Sequence, residues 1–241
     1  MLTACAVTKT VMGVVLGLLW RIEPALQGIG LSPWQGYAGE LAGAYPFNGG
    51  TGFFVSRDGQ FVSAHHVIGT CRYPAVLTPD GVFVGHVLVT SAADDVTLIQ
   101  TAYQPDEEAS FPAITSYTWQ PVTIARMVQC GGLASRALAH GYAAPIRGAA
   151  ADRILIRVEE PILGGNSGSP VIDETGALAG MLVARTQSET RIGIAVRAER
   201  IADLMRSVGV EPRAAPFGVP LSANYYGLRT AAYTFPVVCL Q

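Results

Sequence analysis

The chain has 241 residues, half of them hydrophobic and only 14% charged, with a net charge of −2. That length and apolar content suffice for one large domain or two small ones with substantial cores, and they argue against disorder. A near-neutral charge with no basic run excludes the electrostatic footprint of a nucleic-acid binder. The single lysine, Lys9, among 16 basic residues is a compositional bias without chemical content.

Residues 1–20 are almost all apolar or small, with Lys9 before the run Val11–Trp20 and Arg21 after it. A basic residue ahead of a short apolar run fits a secretory signal or a membrane anchor. The run is shorter than the ~18–20 residues of a spanning helix. A buried N-terminal helix fits the same composition. Export or membrane attachment through residues 1–20 is the expectation, and it puts the chain outside the cytoplasm. Residues 22–45 read as an irregular linker.

From Tyr45 the pattern becomes one of short strands between turns, which favours an all-β chain. Gly52–Ser56 and Phe61–Ser63 flank the pair Asp58-Gly59, a strong hairpin signal. Val82–Thr90 and Val96–Thr101 are further strands, and the polar stretch Asp106–Ala109 separates two halves. The second half offers strands at Val122–Val128, Leu138–Tyr142, Ile154–Val158, Pro170–Ile172, Ala177–Ala184 and Arg191–Val196. One amphipathic helix follows, Ala198–Val208, with Ile201, Leu204 and Met205 on one face. The segment from Glu211, with Tyr225-Tyr226, reads as a tail packed over the body.

Cys5, Cys71, Cys130 and Cys239 contain no CxxC pair, which leaves a zinc or redox motif without support. They allow three pairings, and spacing does not choose among them. Free, mostly buried thiols are the expectation. Neither a metal nor an organic cofactor is implied.

Chemistry concentrates in Gly164-Gly165-Asn166-Ser167-Gly168-Ser169-Pro170-Val171. A serine on so tight a turn becomes a nucleophile only if a base takes its proton and nearby donors receive the oxyanion. A base is available where the apolar strand Phe61-Val62-Ser63-Ala64 ends in His65-His66. An orienting carboxylate is available in Asp95, which opens the apolar run Val96-Thr97-Leu98-Ile99 and should be partly buried. Its neighbour Asp94 reads as solvated, and His86 and His140 as solvent-facing.

In the order His, Asp, Ser, these segments resemble the trypsin-like (chymotrypsin-fold) serine peptidases. Ser63-Ala64-His65-His66 matches the family's Thr/Ser-Ala-x-His signature, which assigns the base to His66. Asp95-Val96-Thr97-Leu98-Ile99 matches its aspartate segment, and Gly165-Asn166-Ser167-Gly168-Ser169-Pro170 its serine loop. Gly50-Thr51-Gly52-Phe53 and the ending Gly193-Ile194-Ala195-Val196 resemble the bacterial Deg/HtrA branch, without a following PDZ module.

The resemblance implies two packed antiparallel β-barrels with one C-terminal helix. The first barrel (45–112) carries His66 and Asp95, and the second with the helix (113–210) carries Ser167. Leader and linker occupy 1–44 and the tail 211–241. It further implies an acyl-enzyme mechanism on polypeptide substrates, with the N–H groups of Gly165 and Ser167 as oxyanion hole. Pro161, Ile162, Leu163 and Gly164 would line one pocket wall and Leu182 the other, favouring small or medium apolar residues. Val183, Ala184 and Arg185 would present a strand edge to substrate. Asn166 replaces the aspartate that pairs with a new N-terminus in the animal enzymes, so no such activation is expected. A pseudoprotease that only binds peptides is the alternative on the same fold.

Overall fold

The computed structural model describes residues 49–112, 120–130, 133–146, 152–215, 229–230 and 232–240. The expectations for residues 1–44, for Cys5 and for Tyr225-Tyr226 lie outside these. Six strands of the first half are β1 (Gly49–Phe54), β2 (Gln60–Ala64), β3 (Tyr73–Thr78), β4 (Gly81–Val84), β5 (His86–Ser91) and β6 (Val96–Gln100). A helical turn, α1 (His65–Ile68), follows β2 directly. The second half contributes β7 (Gln120–Cys130), β8 (Leu133–Pro145), β9 (Arg153–Val158), β10 (Pro170–Asp173), β11 (Leu178–Arg185) and β12 (Ile192–Arg197). Helix α2 (Ala198–Arg206) and strand β13 (Thr234–Leu240) complete the described elements.

The second half closes into a barrel in the order β10-β11-β12-β9-β8-β7. Its interior is filled from every strand by side chains such as Val122, Ile124, Ile154, Ile156, Val171 and Leu182. Strand β9 shows how this arises, since Ile154, Ile156 and Val158 are buried while the residues between them are not. A side-chain period of two sends alternate residues to one face. The first half is a half-barrel, a seven-stranded sheet in the order β4-β3-β13-β1-β2-β6-β5. Its core is aromatic, with the Phe54 ring against those of Phe61, Tyr103 and Phe235, and Tyr103 against Phe235. The same core runs on without a break into α2, through Ile201, Ala202 and Met205, and into Met181 and Val196 of the second barrel. The two halves thus share one apolar interface, as the all-β double-barrel reading requires.

Three readings are corrected. The stretch Val82–Thr90 is two strands parted at Gly85, whose N–H still reaches Pro74 O of β3 at 2.7 Å. Strand β4 then pairs with β3 and β5 with β6. Strand β3 went unread because Pro74 lacks a ladder donor and demotes such runs. The end of the presumed tail is not laid over the body, because β13 lies inside the first sheet between β1 and β3. Its Thr234, Phe235, Pro236 and Val237 are buried, so removing water from this apolar run drives its insertion. Cys71 and Cys239 are not free thiols but a disulfide, with Cα atoms 5.6 Å apart.

Candidate active site

Strand β2 delivers His66. Phe61, Val62, Ser63 and Ala64 are buried, so the strand is fixed up to its last residue, and the chain then coils into α1. His66 stands at the edge of that turn with half of its side chain accessible. His65 turns elsewhere, its Nδ1 lying 3.3 Å from Thr97 Oγ1. Asp95, at the mouth of β6, accepts two bonds from His66. Its Oδ2 lies 2.7 Å from the ring Nδ1 and its Oδ1 2.9 Å from the backbone N–H. The Asp95 carbonyl also accepts from His65 N–H at 3.0 Å. This fixes both ring orientation and tautomer, leaving Nε2 as the free base position. The hydrogen bond to Asp95, aided by the carboxylate's charge and only partly opposed by burial, raises the His66 pKa above 6.5.

The serine loop is tethered to the first half. Thr51 N–H donates to Ser167 O at 2.9 Å, and Thr51 Oγ1 donates to Gly165 O at 2.7 Å. Gly50 is wedged between Val67, next to His66, and Ser167: a Cβ there would lie 2.7–2.9 Å from both. Gly168 has φ +87°, and a side chain on it would strike the Thr51 carbonyl. Asn166 is buried and serves the loop itself, accepting from Leu163 N–H at 2.9 Å and donating to Met127 O at 2.8 Å. Gly165, at φ +86°, is the third residue of a turn closed by Asn166 N–H on Leu163 O at 3.2 Å. Positive φ at that position defines a type II turn. Among the described residues, the N–H groups of Gly165 and Ser167 take no protein acceptor. Nor does the Ser167 hydroxyl bond to the His66 ring, which is held by Asp95 alone.

Around this loop, Ile162 and Leu182 are buried while Leu163 is 52% exposed. The Cδ1 atoms of Ile162 and Leu182 both converge 2.7 Å from where a Cβ on Gly193 would sit. Pro161 is exposed and pinned by Arg126 Nη1 on its carbonyl at 2.7 Å. Strand β10 pairs with β11 no further than Met181. Beyond it, among the described residues, Val183, Ala184 and Arg185 pair with no strand but β12, with a bulge at Val183.

Residues 50–181 match the trypsin-like peptidase domain. The chain belongs to this family. An uncharacterized protein, y4bJ, of Sinorhizobium fredii is 24% identical over 205 residues, 79% of this chain and 32% of that protein. The chain therefore spans about a third of that curated relative's length. The active form of the Rv3671c protease of M. tuberculosis superposes with a TM-score of 0.57 at 22% identity, covering 72% of this chain and 78% of that one. The HtrA-type protease AlgW, solved with a decapeptide, gives 0.56 at 18% identity, covering 66% and 51%. These likenesses bear on the fold, and they agree with the Deg/HtrA resemblance of the sequence.

For a trypsin-like peptidase domain, the site also holds residues that sequence reading passed over. Thr51 entered the sequence reading only within the segment Gly50-Thr51-Gly52-Phe53, without a role of its own, yet it is fully buried and ties Gly165 and Ser167 to Met127, whose N–H reaches its hydroxyl at 3.2 Å. Asp94 is not solvated but 5% exposed and paired with Arg153 and Arg200. Only its place beside Asp95 could have flagged it. His86 and His140 are exposed as expected, His140 sharing a 3.0 Å bond with Thr123.

Proposed function

We propose that the chain is a serine endopeptidase in which Ser167 attacks the scissile carbonyl. His66 Nε2 takes the Ser167 proton and returns it to the leaving amine, and Asp95 holds the ring and stabilises the imidazolium. The acyl-enzyme is then hydrolysed by water activated at the same nitrogen. The observation that carries this reading is the pair of hydrogen bonds that Asp95 accepts from His66, one from the ring and one from the backbone. A carboxylate that only balanced charge would not need both. The unpartnered N–H groups of Gly165 and Ser167 support an oxyanion hole, each donor being worth about 3 kcal/mol in the transition state. The absent Ser167–His66 bond accords with unliganded triads, in which this contact is loose and tightens with substrate.

The closeness of Ile162 and Leu182 over Gly193 supports a shallow apolar pocket. Ile162, Leu182 and Gly193 carry no charge to pair with a buried Arg, Lys or Glu side chain, so cleavage after those residues is disfavoured. The half-open edge of β11 at Val183, Ala184 and Arg185 suits an extended polypeptide added as a strand. A fluorophosphonate probe tests the reading. The folded protein should label and Ser167→Ala should not. Absence of labelling in the folded wild type would sink the peptidase reading in favour of a peptide-binding pseudoprotease.

A further inference from the structure

Asp95 sits on a tight turn. Its N–H closes on Ala92 O at 3.3 Å, and its φ is +59°, the only positive value at a non-glycine among the described residues. Aspartate tolerates this conformation better than most residues, but holding it to the tolerance of a positioned carboxylate takes surroundings that fix the turn. The neighbour that can impose it is Asp94. Its carboxylate accepts Ser91 Oγ at 2.7 Å and both Arg200 Nε and Nη2, at 3.1 and 3.0 Å. Arg153 Nη1 lies 3.5 Å from the same group, and Arg153 Nη2 donates to Ala93 O at 2.7 Å. The Asp94 N–H returns to Ser91 Oγ at 3.3 Å.

These partners come from separate elements. Ser91 ends β5 of the first half, Arg153 opens β9 of the second barrel, and Arg200 lies on α2. Three elements therefore converge on the residue bonded to Asp95. A buried carboxylate is expensive unless paired. Here the fork of Arg200 gives the bidentate geometry that fixes direction as well as charge. Burial pushes the Asp94 pKa up, but the bonds from Arg200 and Ser91 and the charges of Arg200 and Arg153 outweigh it. Asp94 is thus ionised wherever a His-dependent peptidase works.

We propose that Asp94, clamped by Arg200 and Arg153, is a positioning residue that holds the Ala92–Asp95 turn against the second barrel and keeps the Asp95 carboxylate on His66. The proposal rests on the peptidase reading for its kinetic consequence, though not for its structural one. Asp94 touches no reacting atom. It acts through the one peptide that separates it from Asp95, and a misplacement of about 1 Å in such a group can cost on the order of 100-fold in rate.

Two variants test it. Arg200→Ala removes a side chain that is 46% exposed, so the fold should survive. Asp94→Asn keeps the shape and the Ser91 contacts while removing the charge. Each is made in the wild type for kinetics and in Ser167→Ala for NMR titration of the His66 imidazole. Expected are a kcat reduced about 10- to 100-fold, a KM changed less than about twofold, and a His66 midpoint that falls toward 6.5 in both variants. The direction discriminates. Acting by charge alone, loss of the Arg200 cation would raise the His66 midpoint and loss of the Asp94 anion would lower it; loss of the Asp95 contact lowers both. The other charged and titratable groups facing this region, His65, Asp95, Asp152, Arg153 and Asp203, are the same residues in both variants. Midpoints that move in opposite directions, or folded variants with wild-type kcat and midpoint, overturn the proposal. If Asp94→Asn does not fold, Arg200→Ala decides alone. If the wild type is inert toward fluorophosphonate yet both midpoints fall, positioning stands and the peptidase reading fails.

Discussion

Asp95 carries two demands, a left-handed backbone and a carboxylate aimed at His66. Aspartate and asparagine meet the first more easily than most residues, and only aspartate meets the second. Asp95→Asn should therefore keep the fold and lower kcat by about 10⁴, because an amide mis-sets the tautomer. The pH dependence follows from the raised His66 pKa. The base must be neutral, so kcat/KM should rise with pH through a midpoint above 6.5, and this midpoint should drop in Asp95→Asn. A wild-type midpoint at or below 6.5 contradicts the assignment. Stability runs the opposite way. The His66–Asp95 pair favours the folded state fully below the unfolded value of 6.5 and loses that contribution as pH rises through the folded one. With half of the ring exposed the effect is small. The signature Ser63-Ala64-His65-His66 was enough to choose His66 over His65. The solvated reading of Asp94 failed because Arg200 stands 106 residues away, and no local pattern reports such a partner.

At the level of elements, the turn residues were the best guides. Asp58-Gly59 marks the β1–β2 hairpin, with Gly59 at φ +89°, and the glycines of the serine loop mark its tightest bends. Gly168→Ala would meet the Thr51 carbonyl as well as an unfavourable φ, a strain of about 1–3 kcal/mol from the backbone alone. It should lower both Tm and fluorophosphonate labelling; a fully active, equally stable Gly168→Ala would show that the loop is not held this tightly. Strand β13 was illegible as a central strand. Its register is set by β1 and β3, distant in sequence, and its own composition suits an edge or a core equally. The Cys71–Cys239 bond closes a loop of 168 residues and fastens β13 near the start of β3. Breaking it by Cys239→Ala should cost about 2–5 kcal/mol in urea unfolding. Reductant should destabilise the wild type and leave that bond's contribution absent in the variant.

At the level of the molecule, a site shared by two halves needs them held in one register, and the common apolar core is joined in this by hydrogen bonds across it. Thr51 makes the clearest of these, with its N–H on Ser167 O, its hydroxyl on Gly165 O, and Met127 N–H on that hydroxyl. Thr51→Val preserves shape but strands a buried donor and a buried acceptor, at about 1–3 kcal/mol. Thermal unfolding should show that loss, and kcat should fall with it because the Gly165 turn loses its anchor; an unchanged kcat would make Thr51 a stability residue only. The sequence by itself determined the all-β class, the family, and the chain order of the segments proposed to hold base, carboxylate and nucleophile, because turn chemistry, strand alternation and short motifs are local. Only the tertiary structure decided that β13 enters the first sheet, that Cys71 meets Cys239, and that Asp94 faces Arg153 and Arg200. These are pairings across long stretches of chain. The free energy that selects them comes from burial and charge pairing between segments, which no single segment encodes.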